Sequence, residues 1–176
     1  KYSFDKYGKD RNRIITLNNS FHGRTVTTLS ATGQEVFHNY FFPFTQGFDY
    51  VDANDIQQLK NAVTDKTCAV LFEVIQGEGG VNILDKDYVQ QLVKFCNEKD
   101  VLVIVDEVQT GIGRTGKLFA YENFGIKPDL VTMAKGLGGG LPIGVCMCGD
   151  KLKDVMSPST HGTTFGANPV VCAGAN

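Results

Sequence analysis

Asp106 and Lys135 are the two residues whose type and position offer the most chemistry. Asp106 closes the apolar run Val101-Leu102-Val103-Ile104-Val105, and a carboxylate at the edge of an apolar sheet is costly unless a cation or hydrogen-bond donor meets it. Lys135 follows Leu130-Val131-Thr132-Met133-Ala134 and precedes Gly136-Leu137-Gly138-Gly139-Gly140, so a flexible amine stands beside backbone that carries almost no side-chain bulk. A partly buried lysine gives up its charge readily and attacks a carbonyl carbon to form an imine. Taken singly, each has an ordinary alternative: Asp106 as an N-cap or turn residue, Lys135 as a solvated surface cation. The glycine run does not make a mononucleotide site, because neither G-x-x-x-x-G-K-[ST] nor a strand-linked G-x-G-x-x-G with a later acidic residue is present.

The elements that must position these groups are legible from hydrophobic patterning. The runs Ile14–Leu17, Cys68–Phe72, Val101–Val105, Leu130–Met133 and Ile143–Met147 are too short for helices and too continuously apolar for half-exposed strands, so they predict buried strands. Helical spacing lies between them, at Ile56, Leu59 and Val63 and again at Tyr88, Val89, Leu92, Val93 and Phe95. The alternation predicts an α/β fold with a mainly parallel sheet covered by helices. Polar or Gly-rich stretches at 76–80, 107–116 and 136–140 follow strand ends, and in an open parallel sheet such stretches converge on one crevice.

Composition narrows the function classes. The 176 residues are 42% hydrophobic and 20% charged with a net charge of −2, which is ordinary for a globular domain and leaves no basic footprint for nucleic acid or an acidic membrane surface. Small-molecule chemistry is the expectation. Five cysteines, an odd number without a C-x-x-C pair, fit a reducing cytoplasm. No run approaches the roughly 20 apolar residues of a membrane span. His22, His38 and His161 lack metal-ligand spacing, so no metal is expected. The start at Lys1 without a methionine and the small-residue end at Val170 to Asn176 predict that 1–176 is a single excised piece, truncated at both ends.

Five motifs then occur in order: Phe-His-Gly-Arg-Thr (21–25), Glu-Val-Ile-Gln-Gly-Glu-Gly (73–79), Asp-Glu-Val-Gln-Thr-Gly-Ile-Gly-Arg-Thr-Gly (106–116), Ala-Lys-Gly-Leu-Gly-Gly-Gly (134–140) and His-Gly-Thr-Thr-Phe-Gly-Ala-Asn-Pro (161–169). Over essentially its whole length the chain resembles the class III aminotransferases, fold-type I pyridoxal 5'-phosphate enzymes that act on ω-amino groups. The resemblance implies a three-layer αβα sandwich with a mainly parallel mixed sheet. It implies that Lys135 binds the cofactor covalently and then shuttles a proton, while Asp106 keeps the pyridine nitrogen protonated. Phe21 and Val108 would press on the two faces of the ring, although core packing is an ordinary use of both, and Gln109 would bond the phenolic oxygen.

Arg24 would grip the substrate α-carboxylate, with a surface ion pair as the alternative. Glu78 would pair with a second substrate arginine beyond Asn176, and Glu73 would support the site from behind. Thr164, with Thr163 as a possible contributor, would reach the partner subunit's cofactor phosphate across a homodimer interface. The phosphate turn that opens the family's site would precede Lys1. Ala167 stands where a second glycine often follows Phe-Gly, a change expected to cost little. The expected activity is transfer of the ω-amino group of N-acetylornithine to 2-oxoglutarate, within arginine biosynthesis. The alternatives are ornithine, 4-aminobutyrate or succinyl-diaminopimelate as donor, or an inactive core that only binds cofactor.

Overall fold

Apolar strands with nothing to offer water on either face pair side by side in the computed structural model, which describes residues 1–176. In chain order the strands are β1 (Arg13–Leu17), β2 (Phe48–Val51), β3 (Thr67–Phe72), β4 (Ile75–Gln76), β5 (Asn82–Ile83), β6 (Leu102–Asp106), β7 (Leu130–Met133) and β8 (Val145–Cys148). Six of them form one sheet in the order β2-β1-β3-β6-β7-β8, and β4 and β5 make a separate hairpin. All neighbours in the large sheet are parallel except β7 and β8. The mainly parallel mixed sheet is thus the expected one.

The helices are α1 (Tyr2–Tyr7), α2 (Val26–Ala31), α3 (Ile56–Ala62), α4 (Lys86–Glu98), α5 (Tyr121–Phe124) and α6 (Pro169–Ala175), with short 3-10 turns at Glu35–Phe37, Lys135–Gly138 and Asp150–Leu152. Helix α4 buries Tyr88, Val89, Leu92, Val93 and Cys96, a stripe at i, i+1, i+4, i+5 and i+8 that can face only one way. That stripe packs with Leu59 of α3 on Val70, Phe72, Val103 and Val105 of the sheet, and each such aliphatic side chain contributes roughly 1.5–3 kcal/mol on leaving water. Helix α3 starts at Asp55, whose carboxylate accepts from the Gln58 amide, satisfying one of the orphan donors of the first turn. The opposite face is covered more thinly, by Leu152 and partly buried Tyr2 and Val155 over Ala69 and Leu102.

Two strands of the large sheet differ from the sequence expectation. Strand β2 was not expected, because Phe48-Asp49-Tyr50-Val51 is half exposed and carries a charge; it is an edge strand, recruited by register with β1. The run Ile143–Met147 was expected to be a buried strand, whereas β8 starts only at Val145 and is exposed along its length. It lies at the other edge and pairs with β7 alone, so only one side of its backbone is engaged. Ala167 has φ 56°, a left-handed conformation that costs an L-residue roughly 1–2 kcal/mol, so alanine is a less neutral choice there than expected.

Candidate active site at the strand ends

Strands β1, β3, β6 and β7 are neighbours and run parallel, so the residues that follow their carboxyl ends are brought to one side of the sheet. These are the Asn18–Arg24 segment after β1, Glu73 after β3, Asp106 at the end of β6 and Lys135 just beyond β7. Asp106 and Thr132 are direct partners in the β6–β7 register.

Asp106 is only 8% exposed, and its burial is compensated donor by donor. Oδ1 accepts from the Val108 amide at 3.1 Å and from the Thr132 hydroxyl at 3.0 Å. Oδ2 lies 2.8 Å from Nδ1 of His22. A carboxylate has about four lone-pair sites, so these contacts leave room for one further donor on Oδ2. The His22 side chain is itself 2% exposed, and its Nε2 has no partner. His22 was missed in the sequence because it lacks metal spacing and its partner lies 84 residues away; the one available signal was its place beside Phe21.

Lys135 is exposed rather than partly buried as its surroundings predicted. Its ammonium donates to Gln109 Oε1 at 2.9 Å, which brings two sequence-predicted residues into contact. The backbone of Lys135 has φ 44°, uncommon for a residue with a Cβ, and this fixes the direction from which its side chain leaves the turn. Gln109 also explains the glycine at 77. A Cβ on Gly77 would come within 2.3 Å of Gln109 Nε2, so any larger residue would push the amide aside.

The loop carrying Val108 and Gln109 is pinned from beneath by Glu107, which is 1% exposed. Its carboxylate accepts from the Tyr121 amide at 2.8 Å and from the Thr110 hydroxyl. Glu73, also buried, accepts from the Phe21 amide at 3.0 Å and the Gly77 amide at 3.4 Å, tying the segment after β1 to the Gln-Gly-Glu-Gly turn. Burial pushes the Glu73 carboxyl above its ordinary range, against the pull of those two amides and the nearby His22.

Phe21 is half-buried, and its ring meets Phe37 edge-on with centroids 5.8 Å apart. Arg24 is exposed and lies over both rings, 4.2 Å from the Phe37 centroid and 5.4 Å from that of Phe21. No ion pair of the chain includes it. Val108 is half-buried, Glu78 exposed, and Thr163 and Thr164 exposed in the segment before α6. The structure therefore bonds Val108 to Asp106 and Lys135 to Gln109 and sets Arg24 over Phe21, with His22 bonding the segment that carries Phe21 to Asp106. Glu78 and Thr164 form no side-chain hydrogen bond or ion pair with any of these residues. No group of three or more His, Cys, Asp or Glu side chains is placed to hold a metal, and no helix is long and apolar enough to cross a membrane.

A parallel sheet with a buried carboxylate, an amine and a guanidinium at its carboxyl ends is an arrangement for binding and transforming a small charged molecule. The chain matches the aminotransferase class-III family over residues 1–176 and belongs to that family. It is 56% identical over its whole length to acetylornithine aminotransferase of Haemophilus ducreyi (strain 35000HP / ATCC 700724), covering 45% of that protein. It superimposes on ornithine aminotransferase of Toxoplasma gondii ME49 with a TM-score of 0.93 at 39% identity, over 99% of this chain and 42% of that one. A second structure of the Toxoplasma gondii enzyme, crystallised with oxidised glutathione, has partial occupancy of pyridoxal phosphate at its active site and matches with a TM-score of 0.92 at 39% identity, again over 99% and 42%. The chain thus spans a little under half the length of the relatives it matches.

Proposed function

We propose that this chain is the cofactor-binding core of a pyridoxal-phosphate-dependent aminotransferase that moves the ω-amino group of N-acetylornithine to 2-oxoglutarate. The observation that carries the reading is the buried Asp106 carboxylate, held by three donors with one acceptor site left, beside a strand whose end carries an amine bonded to Gln109. That unfilled site fits a protonated ring nitrogen, and Lys135 fits the aldehyde end. Phe21 and Val108 would hold the ring plane, Gln109 the phenolic oxygen, and Thr164 the phosphate of a partner subunit's cofactor in a homodimer.

When bound, the cofactor supplies a sink for the electron pair released from the substrate C–H bond. Asp106 keeps a proton at the ring nitrogen by placing a negative charge against it. Lys135 would hold the cofactor through its Nζ and would act as base and then acid toward the proton that leaves the substrate carbon. Arg24 orients the substrate through its carboxylate. Glu78 would cover and uncover a second arginine as donor and acceptor alternate. The cytoplasm and arginine biosynthesis suit an enzyme of this substrate class.

The donor is drawn from the Haemophilus ducreyi relative. A second reading, ornithine as donor, is favoured by the structural likeness to ornithine aminotransferase. The complete enzyme should be assayed for glutamate formation from 2-oxoglutarate with N-acetylornithine, ornithine, 4-aminobutyrate and succinyl-diaminopimelate in parallel. A higher kcat/KM for ornithine would replace the first reading with the second; no glutamate from any donor would remove both.

A further inference from the structure

Arg24 carries a charge that the chain leaves without a carboxylate, yet its guanidinium is not loose. It lies 4.2 Å from the ring centre of Phe37, within the range at which a cation is drawn to the face of an aromatic ring. Phe37 in turn leans on Phe21, with the two ring planes at 76°, the edge-to-face geometry that aromatic pairs favour. Phe37 ends the 3-10 turn Glu35–Phe37, and that turn is fastened on one side to the segment that carries Phe21 and Arg24 and on the other to α2. On one side Gln34 Nε2 donates to the Ser20 carbonyl at 3.0 Å. On the other, His38 Nε2 lies 3.0 Å from the Leu29 carbonyl of α2.

The manner of holding matters for what Arg24 can do next. An arginine parked on a carboxylate spends its N–H fork and must exchange partners when a ligand arrives. One held through its π face keeps the fork available while losing the rotamer freedom that binding would otherwise have to remove. Glu35 opens the turn, yet it too forms no ion pair with Arg24.

We propose that Phe37 is a positioning residue for carboxylate recognition, a ring that presents the Arg24 fork to the α-carboxylate of the amino donor and to the carboxylate of the 2-oxo acid that lies far from its keto carbon. The inference rests on the reading of Arg24 as the carboxylate-binding residue. Phe37 touches neither substrate nor cofactor in this scheme. Its effect travels through Arg24, and it also props the Phe21 ring.

The test is a double-mutant cycle in the complete enzyme, with Phe37→Ala, Phe37→Tyr, Arg24→Ala and Phe37→Ala/Arg24→Ala. The readouts are the Kd of 2-oxoglutarate by calorimetry, KM and kcat for the donor, and the single-turnover half-reaction with 1,4-diaminobutane, an amine with no carboxylate, run without any 2-oxo acid. Phe37→Ala is expected to weaken 2-oxoglutarate and donor about 2- to 30-fold, the span of cation–π attractions, with kcat and the diaminobutane reaction little changed. Phe37→Tyr should restore binding, and in the Arg24→Ala background Phe37→Ala should add nothing. An equal loss in that background, an equal loss with diaminobutane, or no loss at all would overturn the role of Phe37 while leaving that of Arg24 intact. If Arg24→Ala itself left both affinities unchanged, the carboxylate reading of Arg24 would fail and this proposal with it.

Discussion

At the scale of the residue, the site is a problem in satisfying buried charge. The buried Asp106 carboxyl group is satisfied because an amide, a hydroxyl and an imidazole each meet one of its oxygens, and an unsatisfied buried acceptor would cost about 1–3 kcal/mol. Asp106→Asn keeps the shape and can still accept from Val108 and Thr132, but it removes the charge. In the complete enzyme we expect turnover to fall by ~10²–10³-fold, the usual loss when a preorganised electrostatic contact is deleted, with cofactor binding partly retained. Turnover within threefold of the parent would reduce Asp106 to a structural cap. Asp106 and Lys135 were legible in the sequence because a strand end and a glycine run are local signals. His22, Thr132 and Phe37 were not, because what makes them matter is contact with residues 84, 26 and at least 13 positions away, and no periodicity records such contacts.

At the scale of the element, what joins one segment to another is often a single side chain. Asp100 ends the turn after α4 with φ 51° and gathers Lys6, Tyr2 and Tyr7 of α1 and Lys151 of the later 3-10 turn. Burial alone would raise its pKa, but the bonds from Lys151, Lys6 and Tyr7 outweigh it and hold the carboxyl well below the usual carboxylate range. A depressed folded-state pKa contributes stability that is present above the unfolded value of about 3.9 and is lost as pH falls below it. Asp100→Asn, which tolerates the same left-handed backbone, should therefore flatten the loss of stability between about pH 4 and pH 2 in denaturant melts; an unchanged acid slope would show that the clasp is energetically idle. Ala167 gives a second case. Relieving its left-handed backbone by Ala167→Gly should raise stability by up to ~1 kcal/mol, read from the urea midpoint at constant slope, and a lower midpoint would mean that chain entropy outweighs strain there. The central strands were legible because they are apolar on both faces. The edge strands β2 and β8 were misjudged because an edge position tolerates charge and exposure that the pattern of a buried strand excludes.

At the scale of the whole molecule, the two faces of the sheet are covered unequally. The face under α3 and α4 holds the main cluster, from Ile15 to Phe124, while the other keeps an open groove of about 830 Å³ lined by Leu102, Leu130, Leu152, Val155 and Met156 among others. Beside it, β8 ends the sheet with the uncharged sequence Val-Cys-Met-Cys, exposed throughout. An exposed apolar face next to a free strand edge without a charge to guard it invites pairing with another copy. The 176-residue chain on its own should accordingly sediment with a mass that rises with concentration. Met147, 40% exposed on that strand, is the place to test the cause, because a lysine there would have to be buried in any edge-to-edge contact. Met147→Lys should weaken association by about tenfold, or ~1.4 kcal/mol, without lowering the urea midpoint. If the variant associates as strongly as the parent chain, the free edge is not what holds the copies together, and the groove beside it becomes the surface to alter next.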